Sequence, residues 1–326
     1  MIVGTELQAW LGDRTRQRQT QAAIDAFRHQ WNRGAIHRGF DAAMAALPVQ
    51  DAQSVAQSVA ALFGDDGWID SLIGGLVAAM RRDPYFDPPF RAINSDIHSG
   101  LNVFEDDNVT IAAGVSHASQ LATKKSGPRG ATSINFTGHV GVLKFVCAGG
   151  ALLSFWEAPE ITGAFTAATA GRCRRTGERR LKDGEIVTID GRFQSYVVEH
   201  ARSNLVLVQA SIKRDQAPLR VEYDSATGDY VGCSANGDDV SRIQMITTLL
   251  RKLDGDSAFA SVAAFIDHPE FFVRWHAMRE LLGIDAAAAL PHLKRMAARD
   301  PHPDTRSAAR SVLDGFDAAP KASKAA

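Results

Sequence analysis

The spacing of apolar residues changes character twice along the chain. From about Asp13 to Arg82 they recur every three or four positions: Ile24, Phe27 and Trp31, then Phe40, Met44 and Leu47, then Val55, Val59, Leu62 and Phe63, then Trp68, Leu72, Leu76 and Met80. That period puts each set on one helical stripe and predicts four helices. Breaks fall at Asn32-Arg33-Gly34, at Pro48 and at Gly64-Asp65-Asp66-Gly67. The stretch RDPYFDPPF closes the region, because proline disfavours helix at the residue before it. From Leu101 the apolar residues fall into short runs bounded by turn residues. These are Leu101 to Phe104, Val109 to Val115, Ser133 to Phe136, Val140 to Cys147, Ala151 to Trp156, Ile186 to Ile189, Gln194 to His200, Asn204 to Ile212, Leu219 to Tyr223 and Tyr230 to Cys233. Short strands with no helix between them predict an antiparallel barrel or sandwich instead of a doubly wound sheet. Beyond Asp239 the helical period returns with Ile243, Ile246, Leu249, Leu250 and Leu253.

The expected fold class is α+β: a helical region over 1–90, an antiparallel β-barrel over 91–235, helices over 236–317 and a disordered tail over 318–326. A length of 326 residues, 45% apolar and 22% charged, describes an ordinary globular chain with more than one domain. The formal net charge of −1 supplies no general attraction for nucleic acid or anionic lipid, so neither is an expected partner. Trp68 to Met80 is too short and too glycine-interrupted to span a bilayer, and no charged leader precedes a long apolar run at the N-terminus. Cys147, Cys173 and Cys233 are odd in number and far apart, without zinc or redox spacing. A reducing, cytoplasmic location follows as the expectation.

Within the last region VRWHAMRELLGID, from Val273 to Asp285, aligns with TRSAARSVLDGFD, from Thr305 to Asp317, at an offset of 32 residues. Arg274 matches Arg306, Ala277 matches Ala309 and Leu281 matches Leu313. Each copy follows an aspartate and a His-Pro pair, at Asp267-His268-Pro269 and Asp300-Pro301-His302-Pro303. The segment from Ala286 to Phe316 resembles a HEAT repeat, with a more divergent copy over Phe259 to Leu282. Two such units bury their apolar faces only against neighbours. The helix from Asp239 to Leu253 and one face of the barrel are expected to cap the stack. The resemblance implies a protein partner on the remaining surface.

The segment LKDGEIVTIDGRFQSYVVEHARSNLVLVQASI, from Leu181 to Ile212, resembles the closing strands of a cupin jelly roll. That resemblance extends over about Leu101 to Ile212 and is compatible with a homodimer. It also implies a metal site, and here the residues depart from the pattern. Where the second motif carries a histidine the chain has Phe193, Gln194 and Ser195. Where the first motif carries two histidines, ALLSFWEAPE offers Phe155 and Glu157, with Glu160 nearby. No metal ligand carries over and no cofactor is expected. Strand alternation puts Gln194, Tyr196, Val198 and His200 on one face. If that face points inward, it makes a polar patch suited to an organic ligand. Trp156, Glu157, Gln194, Tyr196 and His200 are the ligand-binding candidates, and no catalytic residue is assigned.

Alternative chemistry is weaker in this pattern. A metal-dependent cupin enzyme, of dioxygenase or isomerase type, would need a displaced set drawn from His98, His117, His139, His200 and Glu157. AAGVSHA around Ser116 resembles a hydrolase nucleophile elbow but lacks its second glycine, so Ser116 reads as a strand-end residue. Arg172, Arg174, Arg175, Arg179, Arg180 and Lys182 cluster between predicted strands without aromatics and read as a solvated loop. Lys124, Lys125 and Arg129 read likewise. Helices of HEAT character rather than helix-turn-helix count against a transcriptional regulator. The expected function is a non-catalytic protein that binds a small molecule in the barrel or a protein partner through the repeats.

Overall fold

The structure is a computed structural model that describes residues 5–47, 51–125 and 133–318. Pro48, Arg129 and the tail 319–326 lie outside the described residues. The N-terminal region folds as α1 (Thr5–Gly12), α2 (Arg14–Asn32), α3 (Ala35–Ala46), α4 (Ala52–Phe63) and α5 (Gly67–Arg82). The four apolar stripes correspond to α2 through α5, and α1 is an addition. Aspartates start two of these helices. Asp13 accepts from the Thr15 and Arg16 amides at 2.9 and 3.0 Å, and Asp51 accepts from the Ser54 amide at 2.7 Å.

The strands are β1 (Arg91–Asn94), β2 (His98–Glu105), β3 (Val109–Ser116), β4 (Ser133–Phe136), β5 (Val140–Cys147), β6 (Leu152–Glu157), β7 (Arg174–Arg180), β8 (Glu185–Asp190), β9 (Gln194–His200), β10 (Leu205–Ile212), β11 (Leu219–Asp224) and β12 (Tyr230–Ala235), with α6 (Ala118–Lys125) after β3. Among the described residues one sheet runs β1-β2-β3-β10-β5-β8, with antiparallel pairing throughout. The facing wall is made of β12-β11-β4 and β7-β6-β9. These two pieces meet where the Ser195 hydroxyl donates to the Asn135 carbonyl at 2.6 Å. Arg179 of β7 pairs with Glu185 of β8 at 3.1 Å and ties the walls together along that edge. The result is a jelly roll. The basic run, expected as a loop, is instead the edge strand β7, exposed along its whole length.

The outward residues of the first sheet, Val109, Ile111, Val140, Val142, Val208, Ala210 and Ile212, form one core with Phe40, Val55, Val59 and Phe63 of α3 and α4. Lys144 also lies on this outer face, 2% exposed, with its ammonium on the Phe63 carbonyl and on Asp66. It neutralises the negative C-terminal end of α4.

The C-terminal helices are α7 (Asp238–Asp254), α8 (Phe259–Ala263), α9 (Phe271–Ile284), α10 (Ala286–Arg299) and α11 (Pro303–Ala318). Ala277, Ala289 and Ala309 are fully buried among Met278, Leu281 and Leu293, so the helices approach closely. The repeat in sequence is a repeat in hydrogen bonding. Arg274 donates to the carbonyls of His268 and Pro269, and Arg306 donates to those of Asp300 and Pro301, each pair displaced by the same 32 residues. Arg274 also grips the Asp300 carboxylate with two bonds of 2.8 and 2.7 Å, out of water. Burial alone would raise the Asp300 carboxyl. Arg274 and the His302 amide outweigh it and lower the carboxyl below its ordinary value.

The repeats lean on the second wall of the barrel. Phe271 and Phe272 join Ile134, Phe136, Phe165, Val221 and Tyr223 in one core. The His302 ring stacks on Phe271 at 3.6 Å between centroids and meets the Phe165 carbonyl at 3.1 Å. Asp304 accepts from the Ala167 amide at 2.9 Å.

Candidate functional site

The two halves of the barrel interior are filled differently. Between β5, β8 and β10 and the opposing β6 and β9, Leu143, Phe145, Leu153, Val187, Ile189 and Leu205 pack an apolar core, several of whose side chains also border the cleft. Between β1, β2 and β3 and the opposing β12, β11 and β4 the inward positions are small or polar, and they border a cleft of about 2610 Å³ that also reaches Leu143, Phe145 and Leu205 of the first half and continues to Pro269, Phe271 and Pro301 at the repeats. One wall presents Asn102, Thr110 and Ala112, and the other Asn135, Thr137, Arg220 and Glu222. Gln209 of β10 lies between the halves. Gly100 and Gly114 are register partners whose strands touch: a Cβ on either would lie 2.6 Å from a carbonyl oxygen of the other strand. The cleft exceeds the roughly 300–1,000 Å³ of an enclosed small-molecule pocket because it is open to solvent and continuous from the barrel interior to the repeats.

Alternation produces this lining. Ile111 points out to the helices while Thr110 and Ala112 line the cleft. On the facing wall Ile134, Phe136, Val221 and Tyr223 are drawn outward into the core beneath the repeats. Their polar neighbours Asn135, Arg220 and Glu222 are thereby turned inward.

Arg220 donates from Nε to the Asn236 side chain at 2.9 Å. Asn236 is itself buried and anchored through Nδ2 on the Ala217 carbonyl. Beside Arg220, His139 faces the cleft with its pKa lowered to about 4, by burial first and by the Arg220 charge second. Its imidazole is therefore neutral near pH 7.

The residues named from sequence are dispersed. Gln194 and Tyr196 line the cleft, where Gln194 accepts from the Asp190 amide at 3.2 Å and burial pushes the Tyr196 phenol up to about 12. Trp156 lies on the other face of β6, donating to Ser154 at 2.9 Å and packing beneath the repeats. Glu157 pairs with Arg174 at 2.8 Å, and His200 is exposed at the end of β9. Asn135, Thr137, Gln209, Arg220 and Glu222 were not singled out in the sequence. For Asn135, Thr137, Arg220 and Glu222 the signal is the strict polar-apolar alternation of SINFT and LRVEYD, whereas Gln209 sits in the mostly apolar LVLVQASI without such a signal.

The metal site implied by the resemblance does not fit these residues. Phe155 packs against the apolar core, and Glu157 is engaged by Arg174. His98 bonds Ser116 at 2.7 Å and His117 bonds Ser99 at 3.2 Å. Among the described residues no three His, Cys, Asp or Glu side chains converge on a point that could hold a metal. The basic strand is compensated: Arg172 pairs with Asp229, Arg174 with Glu157, Arg175 with Glu178 and Arg179 with Glu185. Cys147, Cys173 and Cys233 are free thiols, and among the described residues no helix is long and apolar enough to cross a membrane.

Strand order and register define a jelly-roll barrel that resembles a cupin in fold, carrying HEAT-like helical repeats at its C-terminal side. The family model for HEAT repeats matches residues 233–314. No curated protein matches the chain. Among solved structures it is similar to ectoine synthase from P. lautus, at 12% identity over 38% of this chain and 69% of that one, with a TM-score of 0.24. It is similar to a cupin domain from Bordetella pertussis Tohama I at 12% identity, 37% and 98% coverage and a TM-score of 0.23. It is also similar to the capsular polysaccharide assembling protein CapF from Staphylococcus aureus at 10% identity, 46% and 35% coverage and a TM-score of 0.25. At such scores the likeness adds no argument, and the barrel assignment rests on its own topology.

Proposed function

We propose that this chain is a non-catalytic cytoplasmic binding protein whose barrel cleft takes a polar small organic molecule and whose repeats carry a protein-interaction surface. One observation carries the first part: the inward side chains of β4 and β11 are polar, and they line a cleft open to solvent. Polar groups on a concave wall exchange bonds to water for bonds to a ligand and fix its orientation. The second part is supported by the HEAT match and by α7, where Ile246, Leu249 and Leu253 form an outward stripe. Ala112 sits on the cleft wall between Asn102 and Gln209, so Ala112→Phe projects a ring into the cleft and obstructs it from a position with little packing of its own. A thermal-shift panel of sugars, carboxylates, amines and amino acids is expected to yield ligands that raise the Tm by about 2 °C or more and lose the effect in Ala112→Phe. A panel without a hit, or hits indifferent to that substitution in a variant of unchanged circular dichroism, would overturn the reading.

A further inference from the structure

We infer that the cleft selects a zwitterionic small molecule, an amino carboxylate held with its carboxylate toward Arg220 and its ammonium toward Glu222. The inference rests on the cleft being a ligand site and adds the charge pattern of the ligand. Arg220 and Glu222 lie two residues apart on the cleft-lining face of β11, about 6.6 Å along the strand. Among the described residues neither takes part in an ion pair, with the other or with any third group. Several of the charges around them have partners of their own. Asp224, next on the same face, accepts from the Ala226 and Thr227 amides at 2.8 and 2.9 Å. Glu105 pairs with Lys213, and Arg242 pairs with Asp239.

The pair is also held in place. The Asn236 anchor uses Nε of Arg220 and leaves both terminal nitrogens for a carboxylate, the two-pronged geometry that guanidinium provides. Glu222 is fixed opposite Asn135 by the β11–β4 register. Asn135 and Thr137 supply uncharged donors and acceptors on the neighbouring strand. A neutral polyol would leave a cation and an anion unmatched at desolvation, and a phosphate would be repelled by Glu222. A molecule with an ammonium and a carboxylate a few carbons apart satisfies both.

Isothermal titration at pH 7 with 4-aminobutyrate, butyrate and n-butylamine as probes tests this. The zwitterion is expected to bind at least tenfold more tightly than either single-charge analogue. Arg220→Gln and Glu222→Gln are each expected to weaken it tenfold or more, and Glu222→Gln is expected to narrow the gap to butyrate. Both keep a polar side chain at a solvent-accessible position, and unchanged Tm values establish that they fold. Absence of 4-aminobutyrate binding, or binding indifferent to both substitutions, overturns the inference. If other panel molecules still bind and are lost in Ala112→Phe, the ligand site stands and only its zwitterion selectivity fails. If nothing binds, both fail.

Discussion

His139 sits on the cleft wall beside Arg220, and burial together with that cation holds its pKa near 4 instead of 6.5. Between those values an unfolded chain takes up a proton that the native protein refuses. Acidification from pH 6.5 to about 4 therefore costs stability through this residue, and above 6.5 it contributes no slope. In urea unfolding at pH 7 and pH 4.5, His139→Gln is expected to recover about 1–3 kcal/mol of the acid loss seen in the wild type. Equal losses in both proteins would contradict the assignment. Arg274 and Asp300 make a different case, since both are buried and bonded twice to each other. Asp300→Asn strands the guanidinium away from water and is expected to lower unfolding free energy by about 3–5 kcal/mol. A loss under about 1 kcal/mol would mean the pair is solvated.

Elements show how local pattern and packing interact. Lys144 bonds the Phe63 carbonyl at the end of α4 from the outer face of the sheet, so Lys144→Met is expected to cost about 1–3 kcal/mol in chemical denaturation through an orphaned acceptor. α2 to α5 and most strands were readable because their apolar residues follow periods of 3.6 and 2. The HEAT-like repeat was readable because Arg274 and Arg306 do the same job one repeat apart. β7 was not, since Arg-Arg-Thr-Gly-Glu-Arg-Arg has no apolar face, and its order comes from β6 and from carboxylates remote in sequence. The site was half legible. Alternation marks one polar face on β4 and β11 but does not say which side is the interior. A barrel strand is expected to turn its apolar face inward, and here the repeats cover the outside and draw Phe136, Val221 and Tyr223 to it. Trp156 follows the same outward pull.

The whole molecule is three layers sharing cores, with the barrel between the N-terminal helices and the repeats. A chain truncated after residue 236 would uncover Ile134, Phe136 and Tyr223, and it is expected to aggregate or to unfold at a Tm at least 10 °C lower. A truncated barrel as stable as the full chain would show the layers to be independent. The shared outer cores also explain how one half of the interior is free to be polar: apolar burial is supplied on the outside of both walls. The central claim is that this interior is an organic-ligand cleft and not a metal centre. Native mass spectrometry of the full chain, purified without metal-affinity resin and titrated with panel ligands, tests it most directly. The expected result is a metal-free mass and a stoichiometric organic adduct on the wild type that is absent from Ala112→Phe. A stoichiometric transition metal on the purified protein, or an equal adduct on both chains, would contradict it.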